Sequence, residues 1–129
     1  MSHHANQPPN IMDFNLINTY RLAKVMYLLE KLKNIQDGGS TMLDKSMVVY
    51  GSPMGDSHVH TPTRCPLFVA GHAGGKLQGN MHIKTADGTP MANAMLGLMH
   101  RLGMDDMESF GDSTGDFSFS APSVVSDAL

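Results

Sequence analysis

The sequence predicts an α/β protein, and in particular one piece of a larger α/β domain that lacks its N-terminal strands. Three observations carry this. Met47-Val48-Val49-Tyr50 and Leu67-Phe68-Val69-Ala70 are short continuous apolar runs, stopping at Gly51 and Gly71. Runs of that length without alternation fit strands buried on both faces. Stretches before and after them repeat apolar residues at helical spacing. A strand buried on both faces needs neighbours on each edge and layers above and below, and two strands with two helices do not supply them. The competing reading is a free-standing two-layer domain with an extra short strand.

Taken in order, residues 1–12 read as an irregular lead-in, with Pro8 and Pro9 blocking helix. Asp13 is the expected cap of a helix running to Lys33 or Ile35. Leu22, Val25, Met26, Leu29 and Leu32 follow the i, i+3, i+4, i+7 rule, and Leu16, Tyr20, Tyr27 and Leu28 broaden that stripe. Arg21, Lys24, Glu30, Lys31 and Lys33 occupy much of the other side. Asp37-Gly38-Gly39-Ser40 ends the helix as a loop. A polar loop over 52–64 joins the two strands, and a glycine-rich stretch over 71–79 follows the second. Met81-His82-Ile83 is an expected short edge strand. Thr89-Pro90 starts the second helix with a capping hydroxyl and a proline at the first helical position. Met91, Ala94, Met95, Leu98, Met99 and Leu102 form its expected face, and Gly103 its left-handed stop. Beyond Asp105 the chain is acidic and serine-rich, with Phe110 and Phe117 able to dock part of it. The expected division is a domain portion over 1–115 and a flexible tail over 116–129.

Composition narrows the function classes. The 129 residues suffice for one domain. Nine basic against twelve acidic residues give a net charge of −3, which speaks against a nucleic-acid partner needing a basic face. No apolar run approaches the ~18–20 residues of a membrane span. The first ten residues carry neither a charged n-region nor an apolar h-region, so no export signal is visible in them. The single cysteine, Cys65, excludes an intrachain disulfide and reads as structural, just before Pro66 and a strand. The methionines mostly neighbour Leu, Val or Ala and read as core filler.

Candidate chemistry gathers where the strands end, since open α/β sheets hold ligands at strand carboxyl ends. In an extended segment Asp56, His58 and His60 would point to one side. A carboxylate and two imidazoles suit a divalent metal, zinc taking N and O donors at about 2.0–2.2 Å. The other reading is a solvated polar loop whose histidines bond locally. His3 and His4 are adjacent and face opposite ways if extended; a tag remnant is their bland explanation. His72 and His82 could close a site from the glycine-rich side, and His100 reads as a helix-boundary residue. That glycine-rich loop fails the P-loop test, because Leu77 rather than Ser or Thr follows Lys76. Ser2 and Ser52 are candidate polar contacts to a substrate, without the surroundings of an activated nucleophile.

Several segments together resemble one family. They are Ser2-His3-His4, Tyr27-Leu28-Leu29-Glu30-Lys31-Leu32-Lys33, the stretch from Leu43 through Ser52, Met54-Gly55-Asp56 with His60, Pro66 through Gly71, Gly79-Asn80-Met81-His82, Thr89 through Asn93, and Ser109 through Gly115. In that order they resemble the HXXSHH family, a bacterial domain family of unknown function, over residues 1 to about 115. The naming motif is His-x-x-Ser-His-His; only Ser-His-His is present, with Met1 just before the serine. The family in turn resembles the alkaline-phosphatase-like superfamily of phosphatases, sulfatases and phosphomutases. The resemblance implies the C-terminal part of an alkaline-phosphatase-like mixed or parallel sheet with flanking helices, incomplete by itself. It implies a divalent metal (zinc, calcium or magnesium) held by Asp56, His60 and His82, with His3 and His4 as ligands or as donors to the substrate oxyanion. His58 falls at a more variable position. It implies a small-molecule or glycan ester substrate, an extracytoplasmic location, and a nucleophile in the N-terminal part of the domain. The expectation is therefore a fragment of an exported metal-dependent phosphatase- or sulfatase-like hydrolase, inactive alone. The alternative is a non-catalytic secreted binding module that keeps the fold.

Overall fold

The structure is a computed structural model and describes residues 2–119. The described residues form a mixture of helices and small antiparallel sheets, α/β in the broad sense. The expected flexible tail lies outside the described residues from position 120 onward.

Helix α1 spans Pro8–Asn34, 27 residues or about 40 Å. It begins five residues before Asp13, and Gln7 is its N-cap. The two prolines open the helix instead of blocking it. A first-turn residue has no intrahelical acceptor for its N–H, so a missing N–H costs nothing there, and proline's fixed φ already suits the turn. The line facing the rest of the chain is Ile11, Phe14, Asn18, Val25, Leu29 and Leu32, with Leu29 buried. Met12, Leu16, Tyr20 and Tyr27 lie on the opposite side, each with more than half its surface in solvent. Lys24 and Lys31 lie over the Tyr20 and Tyr27 rings at 4.9 and 5.1 Å, giving those rings partial cover. The apolar residues of α1 thus divide between two faces, and Leu22 and Met26 are also exposed.

After α1 the chain makes a hairpin, β1 (Gln36–Asp37) against β2 (Ser40–Thr41). Gly38 and Gly39 form its two-residue turn at φ +60° and +85°, values that glycine adopts without strain. Helix α2, Met42–Lys45, follows at once, because Thr41 and Asp44 form a reciprocal capping box. Strand β3 (Val48–Gly51) pairs with β4 (Leu67–Ala70), Val48 opposite Ala70 and Gly51 opposite Leu67.

The pairing of β3 with β4 is antiparallel, where the expectation is a mixed or parallel sheet of doubly buried strands. A parallel return needs a crossover of a dozen or more residues, usually helical; residues 52–66 form no helix and bring the chain straight back. Neither strand is buried on both faces among the described residues. Val49 and Phe68 are exposed, while Val48 and Tyr50 are half-buried. The Gly71 turn after β4 sits at φ +93° against the carbonyls of Leu43 and Ser46, where no side chain fits. A 3-10 turn follows, Ala73–Gly75, and Leu77 is buried beyond it. Residues 81–83 form no strand, contrary to expectation.

Helix α3 spans Met91–Arg101. Thr89 does not cap it: its hydroxyl donates to the Ala86 carbonyl at 2.8 Å, and Pro90 takes the N-cap position. Gly103 stops it at φ +94°. Its buried residues are Ala92, Asn93, Leu96, Gly97 and Leu98; of the expected face only Leu98 is among them, and Leu102 is exposed. The reason lies in what covers the helix. Residues 110–119 fold back across it, so a glycine and an asparagine are the contact residues. A Cβ on Gly97 would overlap the Phe117 carbonyl. Asn93 binds Thr114 twice, accepting from its N–H at 2.8 Å and donating to its hydroxyl at 3.2 Å. Phe117 and Phe119 pack edge to face at 4.9 Å.

Candidate functional site

The site is built on the turn that follows β3. Ser52 stays bound to the neighbouring strand, its N–H donating to the Pro66 carbonyl at 3.1 Å. Its hydroxyl donates to the Met54 carbonyl and accepts from the Met54 N–H, so this candidate substrate contact is already committed locally. The chain then closes on itself: Gly55 N–H donates to Thr61 at 3.0 Å and Thr61 N–H to Asp56 at 3.1 Å. A Cβ on Gly55 would overlap the Thr63 carbonyl. Within this turn the Asp56 carboxylate accepts from the His58 N–H at 2.8 Å, the local bonding that makes aspartate a turn former. The Asp56–His60 segment is therefore a tight turn and not the extended stretch that would have aligned its three candidate ligands. His60 itself sits at φ +55°.

The lead-in before α1 docks against this turn. Ser57 donates its hydroxyl to the Ser2 carbonyl at 3.1 Å. The His3 and His60 rings meet edge to face at 4.7 Å, and the His4 and His58 rings stack at a tilt, 5.0 Å apart. Adjacent His3 and His4 thus face different partners, as their spacing predicts. Ala5 and Asn6, at φ +50° and +55°, turn the chain into the helix. Ala5, Asn6, His60 and Arg64 all hold left-handed φ around one cluster, and such strained backbone concentrates at functional sites.

Hydrogen bonds decide what two of the four imidazoles offer. Asn6 N–H donates to His4 Nδ1 at 3.2 Å, and Ala5 N–H donates to His58 Nδ1 at 3.3 Å. A ring nitrogen that accepts carries no proton, so the proton of each neutral ring is on Nε2. In this arrangement His4 and His58 present N–H donors and no Nε2 lone pair for a metal. His3, His60 and Asp56 keep the nitrogen and oxygen donors that a divalent ion takes. Among the described residues, no three His, Cys, Asp or Glu side chains stand together in a metal-holding group.

Beside the cluster lies a cleft of about 540 Å³, in the size range of small-molecule sites. Phe14, Asn18 and Arg21 of α1 form one wall; Tyr50 and the turn through Asp56 form the other, with His4 at the junction. Arg21 and Asn18 were not among the sequence candidates, and Arg21 belonged to the expected outer side. Their signal was the spacing 11, 14, 18, 21, 25, 29, 32, a second register of the same helix.

The remaining candidates stand elsewhere. His72 Nδ1 donates to Asp44 at 3.1 Å, joining the capping box. Asp44 has its pKa lowered to about 2, first by the Thr41 hydroxyl and then by the Thr41 N–H and the Ser40 hydroxyl, with His72 adding to them. Among the described residues no contact ties His82 to the cluster. His100 donates from Nε2 to the Met107 carbonyl at 2.8 Å and from Nδ1 to Asp116 at 3.1 Å. Both bonds need protonated nitrogens, and its pKa is raised from 6.5, the Met107 bond contributing most. Cys65 donates to the Pro62 carbonyl.

No protein-family model, curated protein or solved structure matches the chain. No helix among the described residues is long and apolar enough to cross a membrane.

Proposed function

We propose that the chain contributes part of a divalent-metal site for phosphate or sulfate esters, within a larger alkaline-phosphatase-like domain of the HXXSHH kind. The observation that carries this reading is the meeting of His3 and His4 with the Asp56–Thr61 turn, across more than fifty residues of chain. Asp56, His3 and His60, which do not stand together as a three-donor group in this structure, would have to converge to hold the ion. A bound divalent ion polarises the ester and lowers the pKa of coordinated water. The His58 N–H orients the Asp56 carboxylate, and the His3–His60 ring contact steadies both imidazoles. His4 and His58, as N–H donors, would bind ester oxygens. The nucleophile would come from the rest of the domain, and the location is extracytoplasmic. Exposed apolar residues on α1 and on Val49 and Phe68 support membership in a larger domain, since contiguous apolar surface marks a covered face.

Calorimetric titration with zinc, calcium and magnesium tests the reading. Asp56→Ala and His60→Ala are expected to weaken binding, and His82→Ala to leave it unchanged. Undiminished binding in both of the first two variants overturns the assignment. The second reading is a non-catalytic module that binds an ester or glycan. It is favoured by the hydroxyls and thiol around the turn: Ser52, Ser57 and Cys65 each donate to a carbonyl, and among the described residues none of them donates to a base. Aryl phosphate and aryl sulfate turnover by the complete domain separates the two readings.

A further inference from the structure

We infer that the cleft between α1 and the turn after β3 is an oxyanion site, with Arg21 and His4 as its donors. This deepens the ester-site reading and rests on it for the class of ligand, a phosphate or sulfate monoester. Two charged side chains line the cleft, Arg21 and Asp56. They form no ion pair with each other, and Arg21 has no hydrogen-bond or ion-pair partner among the described residues. A guanidinium offers five N–H groups in a fork that matches two oxygens of a tetrahedral oxyanion. Asn18, one turn before Arg21 on the same wall, adds an amide donor. His4 adds a third kind of donor, because the Asn6 N–H at its Nδ1 leaves the proton on Nε2.

Opposite charges left apart in one cleft suit a ligand that presents both signs of partner. The oxyanion of a monoester meets Arg21 and His4. The Asp56 side accepts either a hydroxyl of the esterified alcohol or the divalent ion. Phe14 and Tyr50 give the cleft apolar walls for the alcohol portion.

Inorganic phosphate and sulfate, titrated into the protein with EDTA present, test the site without metal. The Arg21→Ala variant is expected to weaken phosphate binding by at least about tenfold, the loss of one charged hydrogen-bonding group. Arg21→Lys keeps the charge without the fork and is expected to fall between. Lys24→Ala removes the same charge from a side chain that lies over the Tyr20 ring and does not line the cleft, and is expected to bind phosphate as the parent does. Absence of phosphate binding by the parent, equal losses in Arg21→Ala and Lys24→Ala, or an unaffected Arg21→Ala each overturn the proposal. Zinc titration of the same variants keeps the two readings separate. Zinc binding lost in Asp56→Ala with EDTA-resistant phosphate binding retained supports both. Phosphate binding that depends on Arg21 in a protein that takes no zinc supports the oxyanion site and rejects the metal.

Discussion

Gly55→Ala tests the link from a single backbone position to the whole histidine cluster. Gly55 does not occupy a left-handed conformation, so the added methyl carries no dihedral penalty, and space alone decides the outcome. That Cβ would overlap the Thr63 carbonyl oxygen and stand 3.1 Å from the Arg64 carbonyl oxygen. Both obstacles are backbone, which cannot swing aside as a side-chain tip does, so the chain at Thr63–Arg64 must retreat by about an ångström. The bonds that close the turn, Gly55 to Thr61 and Thr61 to Asp56, are 3.0 and 3.1 Å long and do not survive that shift together. Overpacking of this kind costs about 1–3 kcal/mol. Gly38→Ala is the comparison: its left-handed φ of +60° carries the penalty, about 1–2 kcal/mol, and its nearest obstacle is the flexible end of Lys45 at 3.4 Å. Two-dimensional NMR of the imidazole protons reads the result. Gly55→Ala should abolish the proximity of the His3 and His60 rings, whereas Gly38→Ala should keep it. Persistence of the ring contact and unshifted His60 resonances in Gly55→Ala would refute the argument that this turn's closure positions the cluster.

Three further outcomes are expected. Asn93→Ala removes both bonds to Thr114; because Thr114 is exposed and its N–H can turn to water, the cost is about 1–2 kcal/mol, read as a lower melting temperature and faster amide exchange at Thr114. The stability that His100 adds through Met107 and Asp116 is full below pH 6.5 and is lost as pH rises through its raised folded value. The melting difference between the parent and His100→Ala should accordingly shrink on going from pH 6 to alkaline pH, and a constant difference would discredit the bonded imidazolium. Replacing Leu16 and Tyr20 by lysine alters an exposed face, so sedimentation should show less self-association with helical content retained; loss of helicity would mean that this face is packed.

Local interactions made a good part of the fold legible. Strands β3 and β4 appear where the continuous apolar runs stand, because β-branched and aromatic residues ending at glycine leave few other conformations. Gly103 stops α3 for a reason contained in one residue, the absence of a Cβ. The loop expected over 37–40 holds the Gly38-Gly39 turn, but the short strands flanking that turn were not expected, and neither was α2, although Thr41-x-x-Asp44 spells its cap. The inward face of α1 was not legible. Its apolar residues fall on two sides, and a periodicity cannot tell which side finds a partner; that choice moved Arg21 from the outer surface to the cleft wall.

Sequence alone therefore determined strands β3 and β4, the glycine stop of α3, and the residue types available for chemistry, since each depends on neighbours within a turn or two. Tertiary structure decided the antiparallel return of β4, the face of α3 covered by residues 110–119, the recruitment of His72 by Asp44, and the docking of His3 and His4 on the Asp56–Thr61 turn. Those outcomes depend on which distant segments meet, and the free energy that selects a meeting is shared among many weak contacts that no single stretch of chain contains.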